Sequence, residues 1–212
     1  MSYKKELVVA RYKENIDWIK DCKSIHQVTV YNKDETNQEN TNALPNLGRE
    51  SHTYLYHIIN NYDNLADYTI FCQGDPIFHD HHFVEKINSI DSIILEHTKK
   101  GFYFFSIEST EKLSGIEKGE HLVALPTYYF LDLLFCIKIK EDINYTYNCS
   151  AQFVVKKQNI RTRPKSFYKF LYSFVSSEKD PIEGYVFERI WKFILDKNIN
   201  HSNKYRKFND IY

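Results

Sequence analysis

The chain carries no surplus of charge: 28 Lys and Arg stand against 28 Asp and Glu among 212 residues. Without a global field of either sign, a role in coating nucleic acid or an anionic membrane loses its electrostatic basis, and only local patches remain. Long apolar runs are missing too. No window approaches the ~18 residues that a spanning helix requires, and the apolar run near the start, Leu7-Val-Val-Ala10, is too short for a secretory signal. Cys22, Cys72, Cys136 and Cys149 lie far apart with no C-x-x-C spacing, and Cys72 and Cys136 fall in apolar runs, where a buried reduced thiol is the ordinary state. These absences predict a reduced, cytoplasmic chain with no transmembrane segment, in which the sequons at Asn144 and Asn148 are chance matches. Also absent are G-x-S-x-G, G-x-G-x-x-G and the P-loop pattern, and with them the usual support for a serine hydrolase, a Rossmann dehydrogenase or a P-loop enzyme.

What is present reads as strands alternating with helices. Leu7-Val-Val-Ala10 has the pattern of a strand covered on both faces, Asn15 caps a helix through Trp18, Ile19 and Cys22, and Val28–Tyr31 is a second β-rich run. Strand, helix and strand within ~30 residues is the length of a βαβ unit. A polar loop over 33–42 precedes a helix that starts within 46–50 and buries Leu55, Ile58, Ile59 and Tyr62. The apolar strand Tyr68–Gln73 then ends in the turn Gly74-Asp-Pro-Ile-Phe-His79. Further on, the patterning predicts a helix over 83–97, a strand over 102–107 and a charged loop over 109–119. A helix and strand of undecided boundary occupy 126–139, and a strand covers 150–155. A helix over 159–175, interrupted or started near Pro164, and an amphipathic helix over 181–195 close the pattern. The expected fold class is α/β, a mostly parallel, doubly wound central sheet flanked by helices, in one domain over 1–212.

Parallel strands bring their carboxyl ends to one edge, so Arg11, Asn32 and Gln73 to Asp75 are expected to open onto a shared crevice. The first turn of the helix at 46–50 offers an anion free N–H groups and positive dipole, and Arg49 adds a fork for phosphate; the Arg49-Glu50 pair also reads as a plain solvated face. Tyr12 is the aromatic best placed to stack a base or sugar. Asp75, His79, Asp80, His81 and His82 place carboxylate and imidazole donors within eight residues, a set suited to Mn²⁺ or Zn²⁺ and also common on surface loops that bind nothing. Glu183 and Glu188 are candidate bases on a helix where most glutamates are simply solvated.

Several islands carry a resemblance: Leu7-Val-Val-Ala-Arg-Tyr-Lys-Glu14, Leu44-Pro-Asn-Leu-Gly-Arg-Glu50, Phe71-Cys-Gln-Gly-Asp-Pro76, Ala151-Gln-Phe-Val-Val155 and Glu188-Arg-Ile-Trp191. They resemble an uncharacterised bacterial and fungal family, domain of unknown function 3431, which in turn resembles compact GT-A-type glycosyltransferases. That resemblance implies a Rossmann-like nucleotide-binding half over 1–100, an acceptor-side half over 101–197 and a polar tail over 198–212. It also implies a nucleoside-diphosphate sugar as donor, a saccharide as acceptor and no nucleic acid, in a nucleotide-sugar-dependent glycosyltransferase serving surface polysaccharide or glycan synthesis. Arg11, Tyr12, Asn32, Arg49, Glu50 and Gln73 would hold the nucleotide, Asp75 and His79 a divalent metal (Mn or Mg), and Glu188 or Asp80 would be the base. The chain departs from the GT-A pattern at Lys13, where Asn is expected, and has no Asp-x-Asp over 73–77. Two other readings stay open: a metal-dependent hydrolase on Asp75, His79 and His81, and a non-catalytic sugar-binding module.

Overall fold

The computed structural model describes residues 3–35, 41–97, 99–105, 108–113, 117–118, 124–135 and 143–195. The expected segments 106–107, 136–139 and 198–212, and Cys136, lie outside them. In chain order the strands are β1 (Lys5–Arg11), β2 (Gln27–Asn32), β3 (Asn42–Ala43), β4 (Tyr68–Gln73), β5 (Phe102–Phe104), β6 (Glu108–Leu113), β7 (Glu117–Lys118), β8 (Ala124–Leu125), β9 (Ile143–Asn148) and β10 (Phe153–Lys156). The helices are α1 (Arg49–Asn61), α2 (Phe83–Asn88), α3 (Ile90–Glu96), α4 (Thr127–Phe135), α5 (Lys157–Ile160), α6 (Lys165–Ser173) and α7 (Ile182–Leu195).

Among the described residues six strands form one sheet in the order β3-β2-β1-β4-β10-β5, and β6–β9 and β7–β8 are separate antiparallel pairs. The pairs β3–β2, β2–β1 and β1–β4 are parallel, whereas β10 runs antiparallel between β4 and β5. The sheet is therefore mixed rather than simply parallel, and β10 is the strand that breaks the pattern. Its apolar run Phe153-Val-Val155 reads the same in either direction, so periodicity carries no information on its sense.

The alternation of side chains across the pleat splits the core in two. Val8 and Phe71 face one side with α1, α4, α6 and α7, where Tyr54, Phe71, Phe153 and Trp191 form a chain of rings at centroid separations of 4.9, 5.4 and 5.5 Å. Leu7, Val9, Ile70 and Cys72 face the other side, under Trp18, Phe83, Ile87, Ile90 and Ile94. Leu7, Val8, Val9, Ile70 and Phe71 are fully buried, each contributing about 1.5–3 kcal/mol of transfer free energy. Helices thus cover both faces, as a strand apolar on both sides requires.

Three local expectations are corrected. The segment Asp17–Asp21 is a single 3₁₀ turn rather than a full helix; Asn15 Oδ1 does accept the Asp17 N–H, at 2.8 Å. The helix expected over 83–97 is divided at Ser89, whose hydroxyl donates to the Glu85 carbonyl at 3.0 Å, a bond that competes with the helical ladder. Residues 108–113 form a strand, not a charged loop, because their partner is β9, whose pairing runs from Glu108 opposite Asn148 to Leu113 opposite Ile143. Helix α1 begins at Arg49, inside the expected window of 46–50, preceded by Gly48 in the left-handed region, φ 58°.

Candidate functional site

The carboxyl ends of β1, β2 and β4 stand side by side, with Arg11 in register with Asn32 and Ala10 with Gln73. Arg11 is buried at this edge and its guanidinium organises the turn that follows it. Nε donates to the Glu14 carbonyl at 2.9 Å, and Nη1 donates to Asn32 Oδ1 at 2.7 Å and to the Tyr12 carbonyl at 3.2 Å. The Glu14 carboxylate closes the same turn by accepting the N–H groups of Tyr12 at 2.7 Å and Lys13 at 3.1 Å. It lies so close to Gly74 that a Cβ there would collide with it, which is why the turn after β4 starts with glycine. Trp18 Nε1 donates to the Gly74 carbonyl at 2.9 Å and locks the two turns together.

Helix α1 forms the opposite wall. Gly48 and Arg49 both take positive φ, 58° and 51°. For Arg49 that conformation costs about 1–2 kcal/mol, a strain held only where surrounding contacts over-determine it. The contacts come from two directions. Lys33, buried at the end of β2, donates Nζ to the Leu47 carbonyl at 2.5 Å and to the Arg49 carbonyl. From the turn before α7, Asp180 accepts a hydrogen bond from Arg49 Nη1 at 3.3 Å; from α7 itself, the Tyr185 ring lies 4.3 Å from the guanidinium and Gly184 leaves room for the Arg49 stem.

Burial pushes the Lys33 ammonium down to about 8, partly offset by the nearby Glu50 carboxylate. Glu50 is itself pushed up by burial, pulled back by Arg49, and pushed up again by Glu188. Glu188 Oε1 accepts the Ser150 N–H at 2.5 Å. Ser150 and Ala151, at φ 71° and 50°, make a second left-handed pair, just before β10 enters the sheet beside β4.

Between these walls lies a cavity of about 200 Å³ lined by Arg11, Lys33, Arg49, Glu14, Glu50 and Gln73, with Tyr12 and Asn46 at its rim. Three cations thus face two carboxylates. An adjoining cavity of about 440 Å³ shares Tyr12, Lys33 and Asn46 and is bounded by Leu44 and Pro45. Tyr12 is exposed between them, with the ammonium groups of Lys13 and Lys179 at 5.0 and 5.7 Å from its ring.

Of the residues singled out in the sequence, Arg11, Tyr12, Arg49, Glu50 and Gln73 line one cavity, and Asn32 is buried behind Arg11. The others fall elsewhere. Asp75 is exposed and its Oδ1 accepts the Phe78 N–H at 3.3 Å, an ordinary turn closure. His79 is exposed with its ring against Phe78, and His82 pairs with Glu85 at 2.9 Å. Asp80 pairs with Lys86 at 2.7 Å and ties the turn to α2. Among the described residues no group of three or more His, Cys, Asp or Glu side chains is arranged to hold a metal ion. Lys33 opens a polar loop in the sequence, and its one signal there is its place directly after the strand end, beside Asn32.

The site and fold define an α/β protein with a polar crevice over the carboxyl ends of parallel strands. The chain belongs to the family described as protein of unknown function DUF3431, whose model matches residues 7–208. No curated protein matches it. Among solved structures it is similar to the bifunctional IspDF of Campylobacter jejuni, at 8% identity and a TM-score of 0.37, over 78% of this chain and 46% of that one, so it spans about half of that protein's length. A likeness of that degree carries no argument here. No described helix is long and apolar enough to cross a membrane.

Proposed function

We propose that the crevice binds a nucleoside-diphosphate sugar and that the protein is a glycosyltransferase. The observation that carries the reading is the convergence of Arg11, Lys33 and Arg49 in one cavity at the carboxyl edge of β1, β2 and β4. Sheets whose order runs 3-2-1-4 place phosphorylated ligands at that edge, beside the first strand, and fixed cations there offset the charge that develops on a departing diphosphate. Tyr12 supplies an exposed ring for the base, and the cavity bounded by Leu44 and Pro45 supplies room for it.

In the proposed step an acceptor hydroxyl gives its proton to the Glu188 carboxylate while its oxygen bonds the anomeric carbon of the donor. The bond from that carbon to the diphosphate oxygen breaks, and its electron pair leaves with the diphosphate, towards Arg11 and Arg49. Glu188 suits the role better than Asp80, because Asp80 is bonded to Lys86 at 2.7 Å, whereas Glu188, with Oε1 anchored by Ser150, has its other oxygen 3.8 Å from Arg189, beyond hydrogen-bond reach, and keeps some exposure. No step is assigned to a metal.

Thermal shift against uridine, guanosine, adenosine and cytidine diphosphates, each with and without Mn²⁺, tests the reading. A nucleotide at a hundred times its Kd should add about 2.7 kcal/mol of stability, and Arg11→Met should abolish the gain. No stabilisation by any nucleoside diphosphate, in either condition, would end the proposal. Equal binding by Asp75→Ala with and without Mn²⁺ would remove Asp75 from the site.

A further inference from the structure

Glu50 differs from the other acidic groups at and near this edge in having no donor from another residue. Glu14 accepts two backbone N–H groups, Glu188 accepts one, and Glu6 accepts Thr29 and Gln27. The Glu50 side chain is 7% exposed and lines the cavity, and its nearest cationic atom, Arg49 Nε, lies 3.8 Å away, beyond hydrogen-bond reach. Lys33 Nζ is turned to the carbonyls of Leu47 and Arg49 instead. Among the described residues no side-chain donor bonds the Glu50 carboxylate. Its own backbone N–H is the one donor near the carboxylate, which leaves acceptor capacity on the cavity side that a ligand donor can use.

The cations fix what else that ligand carries. Arg11, with its fork spent on carbonyls and Asn32, has no carboxylate partner in ion-pair range among the described residues and lines the same cavity from the strand side. One ligand that answers both poles bears a phosphate and, close to it, a hydroxyl.

We propose that Glu50 accepts a hydrogen bond from a ligand hydroxyl, so that the crevice selects phosphate esters of hydroxyl-bearing sugars over hydroxyl-free phosphates. This rests on the phosphorylated-ligand reading of the same crevice. The hydroxyl belongs either to the ribose of a nucleotide or to a phosphorylated sugar, and the chemistry at Glu50 is the same for both.

Calorimetric titration of the full chain with two matched pairs separates the sources: uridine diphosphate against its 2′,3′-dideoxy analogue, and glucose 1-phosphate against inorganic phosphate. In the wild type at least one hydroxyl-bearing probe should bind about tenfold more tightly than its partner, the worth of one charge-assisted hydrogen bond. Glu50→Gln, nearly isosteric and uncharged, should bring that ratio below about threefold and leave the hydroxyl-free probe almost unaffected. A ratio unchanged in Glu50→Gln would overturn the inference, as would a wild type that does not discriminate in either pair. Should Glu50→Gln not fold, Glu50→Met is judged by the same ratio, and the wild-type arm stands without either variant. Discrimination by the sugar phosphate with no nucleotide binding would keep Glu50 and remove the nucleotide-sugar reading. Nucleotide binding indifferent to the ribose hydroxyls and to Glu50, with no preference for glucose 1-phosphate, would do the reverse.

Discussion

Arg11 and Asn32 face each other across the β1–β2 ladder as register partners, and a 2.7 Å hydrogen bond joins their side chains at the strand ends. The ladder alone would leave those ends free to fray. Their side chains extend the pairing into the turn, so the crevice floor is rigid where a ligand would press on it.

Replacing Arg11 tests both duties. Arg11→Met removes the donors that hold the Tyr12 and Glu14 carbonyls, and we expect a loss of about 2–4 kcal/mol in urea unfolding. Arg11→Lys keeps the charge without the fork and should recover less than half of that. Diphosphate affinity should fall in both.

Glycine substitutions separate folding from binding. At Gly48 a Cβ would run into the Val175 carbonyl and the backbone is left-handed, so Gly48→Ala should cost about 2–4 kcal/mol by urea melt. At Gly184 a Cβ would lie 3.1 Å from Arg49 Cδ, the far part of a flexible side chain. Gly184→Ala should therefore cost less than about 1 kcal/mol while displacing Arg49, and weaken nucleotide binding measured by calorimetry.

Lys33 gives the binding a pH signature. Burial holds its ammonium down to about 8, so its charge is lost as pH rises through that value. Diphosphate affinity should decline between pH 7 and 9.5, over which the phosphates themselves are already ionised. Lys33→Met should bind more weakly throughout, with a flat profile over the same range.

His52 and His57 on α1 govern acid stability. Burial pushes both down to about 4; Tyr172 Oη lies 2.7 Å from His52 Nε2 and Tyr31 Oη 3.2 Å from His57 Nδ1. Between pH 6.5 and about 4 the unfolded chain binds protons that the folded one refuses. Their contribution is thus complete above about pH 6.5 and is lost as pH falls towards 4, with a slope of at most about 1.4 kcal/mol per pH unit for each. Glu6, raised by burial, acts with the opposite sign. The difference in unfolding free energy between wild type and His57→Gln, followed from pH 7.5 to 4.5, isolates the imidazole; a difference independent of pH would refute the assignment.

The strands that build the crevice were legible because apolar runs such as Leu7-Val-Val-Ala10 and Tyr68–Cys72 end abruptly in polar turns. Their convergence followed from direction alone, which is why Arg11, Asn32 and Gln73 emerge at one edge. Pairing between distant segments was not legible. Glu108–Leu113 has no apolar period and is a strand only because Ile143–Asn148 lies beside it. Nor was the partner of a charge: nothing in the pattern pairs Asp80 with Lys86, six residues on, and Lys33 reads as loop although its ammonium donates to the carbonyls of Leu47 and Arg49.

The reversed course of β10 shapes the crevice more than any single side chain. By entering the sheet at this edge, the chain delivers Ser150 there, and α7 with the turn before it holds Ser150 through Glu188 and Arg49 through Tyr185 and Asp180. Both walls hang from one crossbar. A substitution that shifts this segment would therefore reach Ser150 and Arg49 at once.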